Sequence, residues 1–161
     1  MRVLVTNPPM VPSYFNAGHH LALFQTAAAL RGHPGVREVV VRDLSALNST
    51  WASVCRLLTQ TEFDVIAIFC DFDGVDGLPR LIEYALALSP TSRRVVFGRA
   101  AKHRPGLFHG LALDAIAFSG DYEAAICDYL DHLVGNGPPN GCHLLTDKGG
   151  GRRTSGSLSD A

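Results

Sequence analysis

Phe63-Asp64-Val65-Ile66-Ala67-Ile68-Phe69 decides the architecture of this chain. Beyond Asp64 every side chain in the run is apolar, so a strand made from it must be covered on both faces. A central parallel strand between two layers of helices meets that condition, whereas an open antiparallel strand would alternate apolar with polar residues. Upstream, Arg2 to Thr6 (RVLVT) is a second short strand, halted at Asn7-Pro8-Pro9, where two prolines forbid ladder donation and helix entry alike. His19 to Leu30 reads as a helix stopped by Arg31-Gly32-His33-Pro34-Gly35, and Val36 to Arg42 returns to strand composition. Asn48-Ser49-Thr50 offers an amino cap for a helix reaching about Thr59.

Downstream, Gly77 to Leu88 carries a broad apolar face at helical spacing. Arg93 to Phe97 is a strand halted by Gly98, and Leu113 to Phe118 one halted by Ser119-Gly120; the Pro105 to Gly110 segment between them allows one or two helical turns at most. Asp121 to Leu133 forms the last helix, with Asp121 and Glu123 at its positive end. Strands alternating with helices predict an α/β fold with a doubly wound, five-stranded parallel sheet of order 2-1-3-4-5, flavodoxin-like or Rossmann-like. This unit spans residues 1–134. Residues 135–161, rich in Gly, Pro and Ser, are expected to be a linker or disordered tail, because they offer too little apolar surface to offset chain entropy.

At 161 residues the chain suits a single core. A net charge of -1 gives no field that would draw a nucleic acid or an anionic membrane, and no apolar run is long enough to span a bilayer. The sequence starts on a strand-like run without a secretion signal, so a cytoplasmic protein is expected. Cys55, Cys70, Cys127 and Cys142 are too widely spaced for a zinc or iron-sulfur motif, which favours reduced thiols.

In such a sheet, ligands lie outside the carboxyl ends of the strands, near the point where strand order reverses. Four loops are thereby selected: Asn7 to Gly18, Cys70 to Gly77, Gly98 to Arg104 and Ser119 to Glu123. His19-His20 could suggest a metal, but adjacent helical residues point about 100° apart, and capping or surface histidine is favoured. The Cys70-Asp71-Phe72-Asp73-Gly74 loop looks like the start of a calcium loop without its later ligands. Gly98 would let a ligand approach the main chain closely, with Arg99, Lys102, His103 and Arg104 available to a phosphate; a tight turn beside a solvated basic face is equally compatible. No Walker loop, G-x-G-x-x-G, G-x-S-x-G or C-x-x-C is present.

Four stretches in this order and spacing carry a family resemblance: VLVTNPP from Val3, DVIAIFCDFDG from Asp64, VVFGRAAKHRP from Val95 and LDAIAFSGDYEAAI from Leu113. Over about residues 1–134 the chain resembles the amino-terminal cobalamin-binding domain of cobalamin-dependent radical S-adenosylmethionine enzymes, particularly the C-methyltransferases of natural-product pathways. The resemblance implies cobalamin across the carboxyl edge, its corrin ring facing a separate catalytic domain. By loop position, Asn7, Pro8 and Pro9, with Gly18 closing the same loop, would border the nucleotide tail. Cys70, Asp71, Phe72 and Asp73 would lie under the ring, and Gly98, Arg99 and Ala100 with Ser119, Gly120 and Asp121 would line the tail. The D-x-H-x-x-G motif through which many cobalamin domains supply a histidine is missing after the first strand, so no histidine ligand to cobalt is expected. The cysteine triplet that would hold an iron-sulfur cluster and cleave S-adenosylmethionine is also missing, which assigns those cofactors to an absent domain or partner and leaves this chain with no catalytic residue of its own.

The implied function is a module that presents methylcobalamin to a radical S-adenosylmethionine domain or subunit for methyl transfer to carbon. Two rivals remain open at this point: a cofactor-free, receiver-like interaction domain, and a small hydrolase using Asp71, Asp73 or His103. The receiver reading lacks an acidic cluster at the first strand and a lysine after the fifth.

Overall fold

The computed structural model describes residues 1–9, 20–148 and 151–155, with side chains up to residue 145. The strands are β1 (Arg2–Thr6), β2 (Glu38–Arg42), β3 (Val65–Phe69), β4 (Arg93–Phe97), β5 (Ala115–Ala117), β6 (Cys142–Lys148) and β7 (Gly151–Ser155). The helices are α1 (Leu21–Arg31), α2 (Trp51–Gln60), α3 (Leu78–Leu88), α4 (Arg99–His103) and α5 (Tyr122–Leu133). All strands join one sheet of order β2-β1-β3-β4-β5-β6-β7. The first five pair in parallel, in the expected order 2-1-3-4-5.

β3 explains why its sequence has no polar alternation. Val65, Ala67 and Phe69 face a layer built with Leu23, Ala27 and Leu30 of α1 and Ile126, Tyr129 and Leu130 of α5. Ile66 and Ile68 face the other layer, with Val54 and Leu58 of α2, Leu81, Ile82 and Ala85 of α3, and Ala100 and Ala101 of α4. All five β3 side chains are buried, and each of the large ones is stabilised by about 1.5–3 kcal/mol through removal from water. The caps read from sequence are in place: Thr50 Oγ1 accepts the Ser53 N–H at 3.2 Å, and Asp121 Oδ1 accepts the Ala124 N–H at 3.0 Å.

Two features depart from expectation. Within the stretch expected to be a linker or tail, β6 pairs antiparallel with β5, and β7 antiparallel with β6. The physical reason lies in β5, whose outer edge would otherwise expose unpaired ladder groups. The run Cys142-His143-Leu144-Leu145 supplies the pairing and buries Leu145 in the α2–α3 layer, while Cys142 and Leu144 pack on the α1–α5 layer. The glycines on either side of this run masked its strand character. The second departure is α4, where a helical turn begins directly after Gly98 instead of a turn leading into loop. Neither feature interrupts the row of parallel carboxyl tips, because the antiparallel pairing is confined to the far edge.

Candidate functional site

The chain leaves β1 for β2 on one side and reaches β3 on the other, so the order reverses between β1 and β3. A shallow groove lies at that point, lined by Asn7, Pro8, His20, Phe69, Asp71, Asp73 and Gly74, with a cavity volume of about 20 Å³. Drug-sized pockets run from roughly 300 Å³ upward, so a large ligand here would lie across the strand tips rather than inside the groove. The structure therefore brings Asn7 and Pro8 together with Asp71 and Asp73. Pro9 is buried beside it, with its carbonyl oxygen 3.6 Å from the position a Cβ on Gly77 would take. Gly18 lies outside the described residues.

The β1 bank is organised by a residue that sequence reasoning passed over. Asp43, at the carboxyl tip of β2, is 2% exposed. Its Oδ1 accepts hydrogen bonds from Asn7 Nδ2 at 2.9 Å, Ser45 Oγ at 3.1 Å and the Ala46 N–H at 3.1 Å, and its Oδ2 accepts the His20 N–H at 3.0 Å. Burial acts to raise the Asp43 carboxyl, but the backbone donors Ala46 and His20 and the side chains of Asn7 and Ser45 outweigh it and hold it below the usual range. Asn7 is turned toward this hub: its Oδ1 accepts the Leu44 N–H at 2.7 Å and its Nδ2 also reaches Ser45 Oγ at 2.8 Å. His20 starts α1 without a side-chain capping bond; its ring packs on Phe69 at 5.3 Å between centroids and its Nε2 lies 3.2 Å from Ser45 Oγ. Capping by its side chain, one of the two roles expected for it, is not made. The available signal was an Asp one residue beyond a strand that follows a Pro-stopped strand, a pattern too common to single out.

On the opposite bank, Asp71 and Arg99 join the tips of β3 and β4. Arg99 Nε lies 3.0 and 2.9 Å from the two Asp71 oxygens, and its Nη2 donates to Oδ2 at 2.5 Å. The hydrogen bonds and charge of Asp71 raise the Arg99 guanidinium above its ordinary value. Asp71, one of the three residues named for the hydrolase reading, is thus engaged with a guanidinium. Phe72 is 48% exposed on the same loop, and Asp73 is exposed. Cys70 is buried, its thiol pushed up to about 12 by desolvation and the charge of Asp71, so it is an inert, neutral group at the base of the rim.

Gly98 has a φ of +119°, and a Cβ there would come 2.5 Å from the Cys70 carbonyl oxygen and 3.0 Å from the Phe69 ring. The glycine is required by the protein's own backbone, which accords with the tight-turn alternative left open for it. Ala100 is buried, and its N–H reaches the same Cys70 carbonyl at 3.3 Å. At the β5 tip, Phe118 and Ser119 both donate N–H to the Gly141 carbonyl, and Ser119 Oγ accepts the Asp121 N–H at 3.2 Å. Ser119 thus sits against the turn into β6, and Asp121 caps α5. Gly120 is exposed beneath Lys102, whose Nζ stands 3.0 Å from where its Cβ would be. Tyr122 packs on Phe97 at 5.9 Å between centroids; burial and the Asp71 charge raise its hydroxyl. Among the described residues there is no group of three or more His, Cys, Asp or Glu able to hold a metal, and no helix long and apolar enough to cross a membrane.

No family model matches this chain, and no curated protein does. Solved structures do. The chain aligns over 95% of its length with the radical S-adenosylmethionine methyltransferase TsrM from Kitasatospora setae, in a structure with cobalamin and a [4Fe-4S] cluster bound, at a TM-score of 0.71 and 15% identity. A second structure of TsrM, with tryptophan substrate and a S-adenosylmethionine analogue, aligns over 91% at a TM-score of 0.69 and 17% identity. The chain spans 31% and 29% of those proteins' lengths. Its α/β sheet therefore shares the fold of one portion, about a third, of that radical S-adenosylmethionine methyltransferase.

Proposed function

We propose that this chain is a cobalamin-binding module that presents methylcobalamin to a radical S-adenosylmethionine domain or partner for methyl transfer to carbon. The observation that carries the reading is the groove at the β1/β3 reversal, where Asn7 and Pro8 meet Asp71 and Asp73 beneath an open rim. The groove is shallow, so a ligand would lie over it along the strand tips. Its walls fit such a ligand: Pro8 and Phe69 offer apolar faces, and His20, Asp71 and Asp73 offer polar ones. Phe72 at the β3 tip is 48% exposed and gives the rim an apolar face for the ring to cover. The likeness of fold to a protein solved with cobalamin bound supports the same assignment.

In this reading Asn7, Pro8 and Pro9 border the tail, while Asp71, Phe72 and Asp73 underlie the ring edge. Arg99 and Asp71 keep the β3 and β4 tips at fixed spacing, and Lys102 over Gly120 offers a charge on the β5 side. When bound, methylcobalamin supplies the transferable methyl group, and the protein's own residues orient it and shield one face from water.

Titrating the purified protein with hydroxocobalamin tests the proposal. Binding at micromolar affinity with a shifted corrin absorbance is expected, and an unchanged spectrum throughout the titration would overturn it.

A further inference from the structure

Asp43 does not line the groove, yet it holds two residues that do. Asn7 projects from the β1 tip and His20 from the start of α1, and both are bonded to the same buried carboxylate through Oδ1 and Oδ2 respectively. Ser45 closes the arrangement, donating to Asp43 at 3.1 Å, receiving Asn7 Nδ2 at 2.8 Å and standing 3.2 Å from His20 Nε2. In dinucleotide-binding sheets an acid at the end of the second strand is spent on a ribose hydroxyl. Here the carboxylate is 2% exposed and turned to the protein's own donors, so its role is internal. A buried charge persists only when its hydrogen bonds are supplied, and charge-assisted bonds are the strong, short ones. The groove's β1 bank is therefore set by one side chain on a neighbouring strand.

Resting on the cobalamin reading above, the geometry points to Asp43 as a positioning residue for the tail of the corrinoid. It fixes Asn7 and His20 before the ligand arrives, and preorganisation of that kind improves affinity by removing the cost of ordering the walls on binding. The corrin ring, lying over the β3 side, does not depend on this hub.

The experiment compares Asp43→Asn with wild type for two corrinoids, hydroxocobalamin and cobinamide, which is the same ring system without the nucleotide tail. Asparagine keeps the shape but places an amide N–H against donors. Asp43→Asn is expected to weaken hydroxocobalamin binding about tenfold or more while cobinamide binds at the wild-type level. Hydrogen exchange at the His20 amide and the first turn of α1 should quicken in the variant, with exchange in β3 and β4 unchanged. Equal loss for both corrinoids, or no loss for either, overturns the inference. If wild type binds neither corrinoid, the functional reading fails instead, and with it the ligand role given to Asp43; the exchange measurement then decides alone whether the carboxylate fixes the bank. Should Asp43→Asn fail to fold, Ser45→Ala removes one donor from the hub, and the same split between the two corrinoids is expected at smaller size.

Discussion

Arg99 clasps Asp71 with two nitrogens, so the loop after β3 and the helical turn after β4 share one bidentate ion pair at the rim. Arg99 is 65% exposed, and such pairs contribute little to folding because solvent screens them. Arg99→Ala should lower stability by less than about 1 kcal/mol, a shift of about 2–4 °C or less in the melting temperature. Its effect should fall on corrinoid affinity, since the two tips lose their fixed spacing. A thermal melt beside a hydroxocobalamin titration separates the two; a large fall in the melting temperature would contradict the assignment.

Gly98 should tolerate no side chain. An alanine there combines a positive φ with a Cβ 2.5 Å from the Cys70 carbonyl, and the strain is expected to cost about 3 kcal/mol. Gly106→Ala, with nothing within 4 Å of the new methyl, should be close to neutral. Chemical denaturation of the two variants side by side gives the contrast.

Ile66 is fully buried in the middle of β3, and truncating it to alanine should cost about 2–5 kcal/mol through lost burial and the cavity left behind. The denaturant midpoint should fall without a change in slope.

Three ionisations, one carboxyl and two thiols, make the stability depend on pH in opposite ranges. The Asp43 carboxyl is lowered in the fold from an ordinary value of 3.8, so its contribution is present above that pH and is lost as the pH falls below it. The thiols of Cys70 and Cys142 are pushed up to about 12 from 9.0, chiefly by burial. The unfolded chain therefore releases these protons first, and stability declines as the pH rises from about 9 to 12. Melting temperatures across pH should show both flanks, and Asp43→Asn should flatten the acid one. At pH 8 Cys70 and Cys142 should resist alkylation until the protein unfolds.

His20 lies in the groove, but its Nε2 is turned to Ser45. With reduced cobalamin bound, the electron paramagnetic resonance spectrum is expected to lack nitrogen splitting from an axial histidine, and His20→Ala should leave that spectrum unchanged. Nitrogen splitting that disappears in His20→Ala would reverse this expectation.

Most of the architecture was legible because apolar runs and breakers are local signals. The continuous run of β3, the prolines after β1 and the caps Thr50 and Asp121 each report their own neighbourhood. β6 was not legible, since Cys142 to Leu145 becomes a strand only where the exposed edge of β5 receives it. The site divides in the same way. Asn7, Pro8, Asp71 and Asp73 could be nominated from their places at strand tips. Asp43 could not, because its significance arises from Asn7 and His20 converging on it from positions distant in the chain. Gly98 could be singled out, but the Cys70 carbonyl that requires it is a neighbour no local reading reveals.

The turn at Gly141, with its carbonyl serving both Phe118 and Ser119, gives the molecule a mechanical asymmetry. One flank of the rim is laced by main-chain bonds at a turn whose glycine has a φ of +71° and where an added Cβ would come 2.7 Å from the Ser119 side chain. The other flank hangs from a single acidic side chain. Variation that spares the fold and retunes what the rim grips will therefore concentrate on side chains at the strand tips, while changes at the Gly141 turn will be felt first as loss of the protein itself.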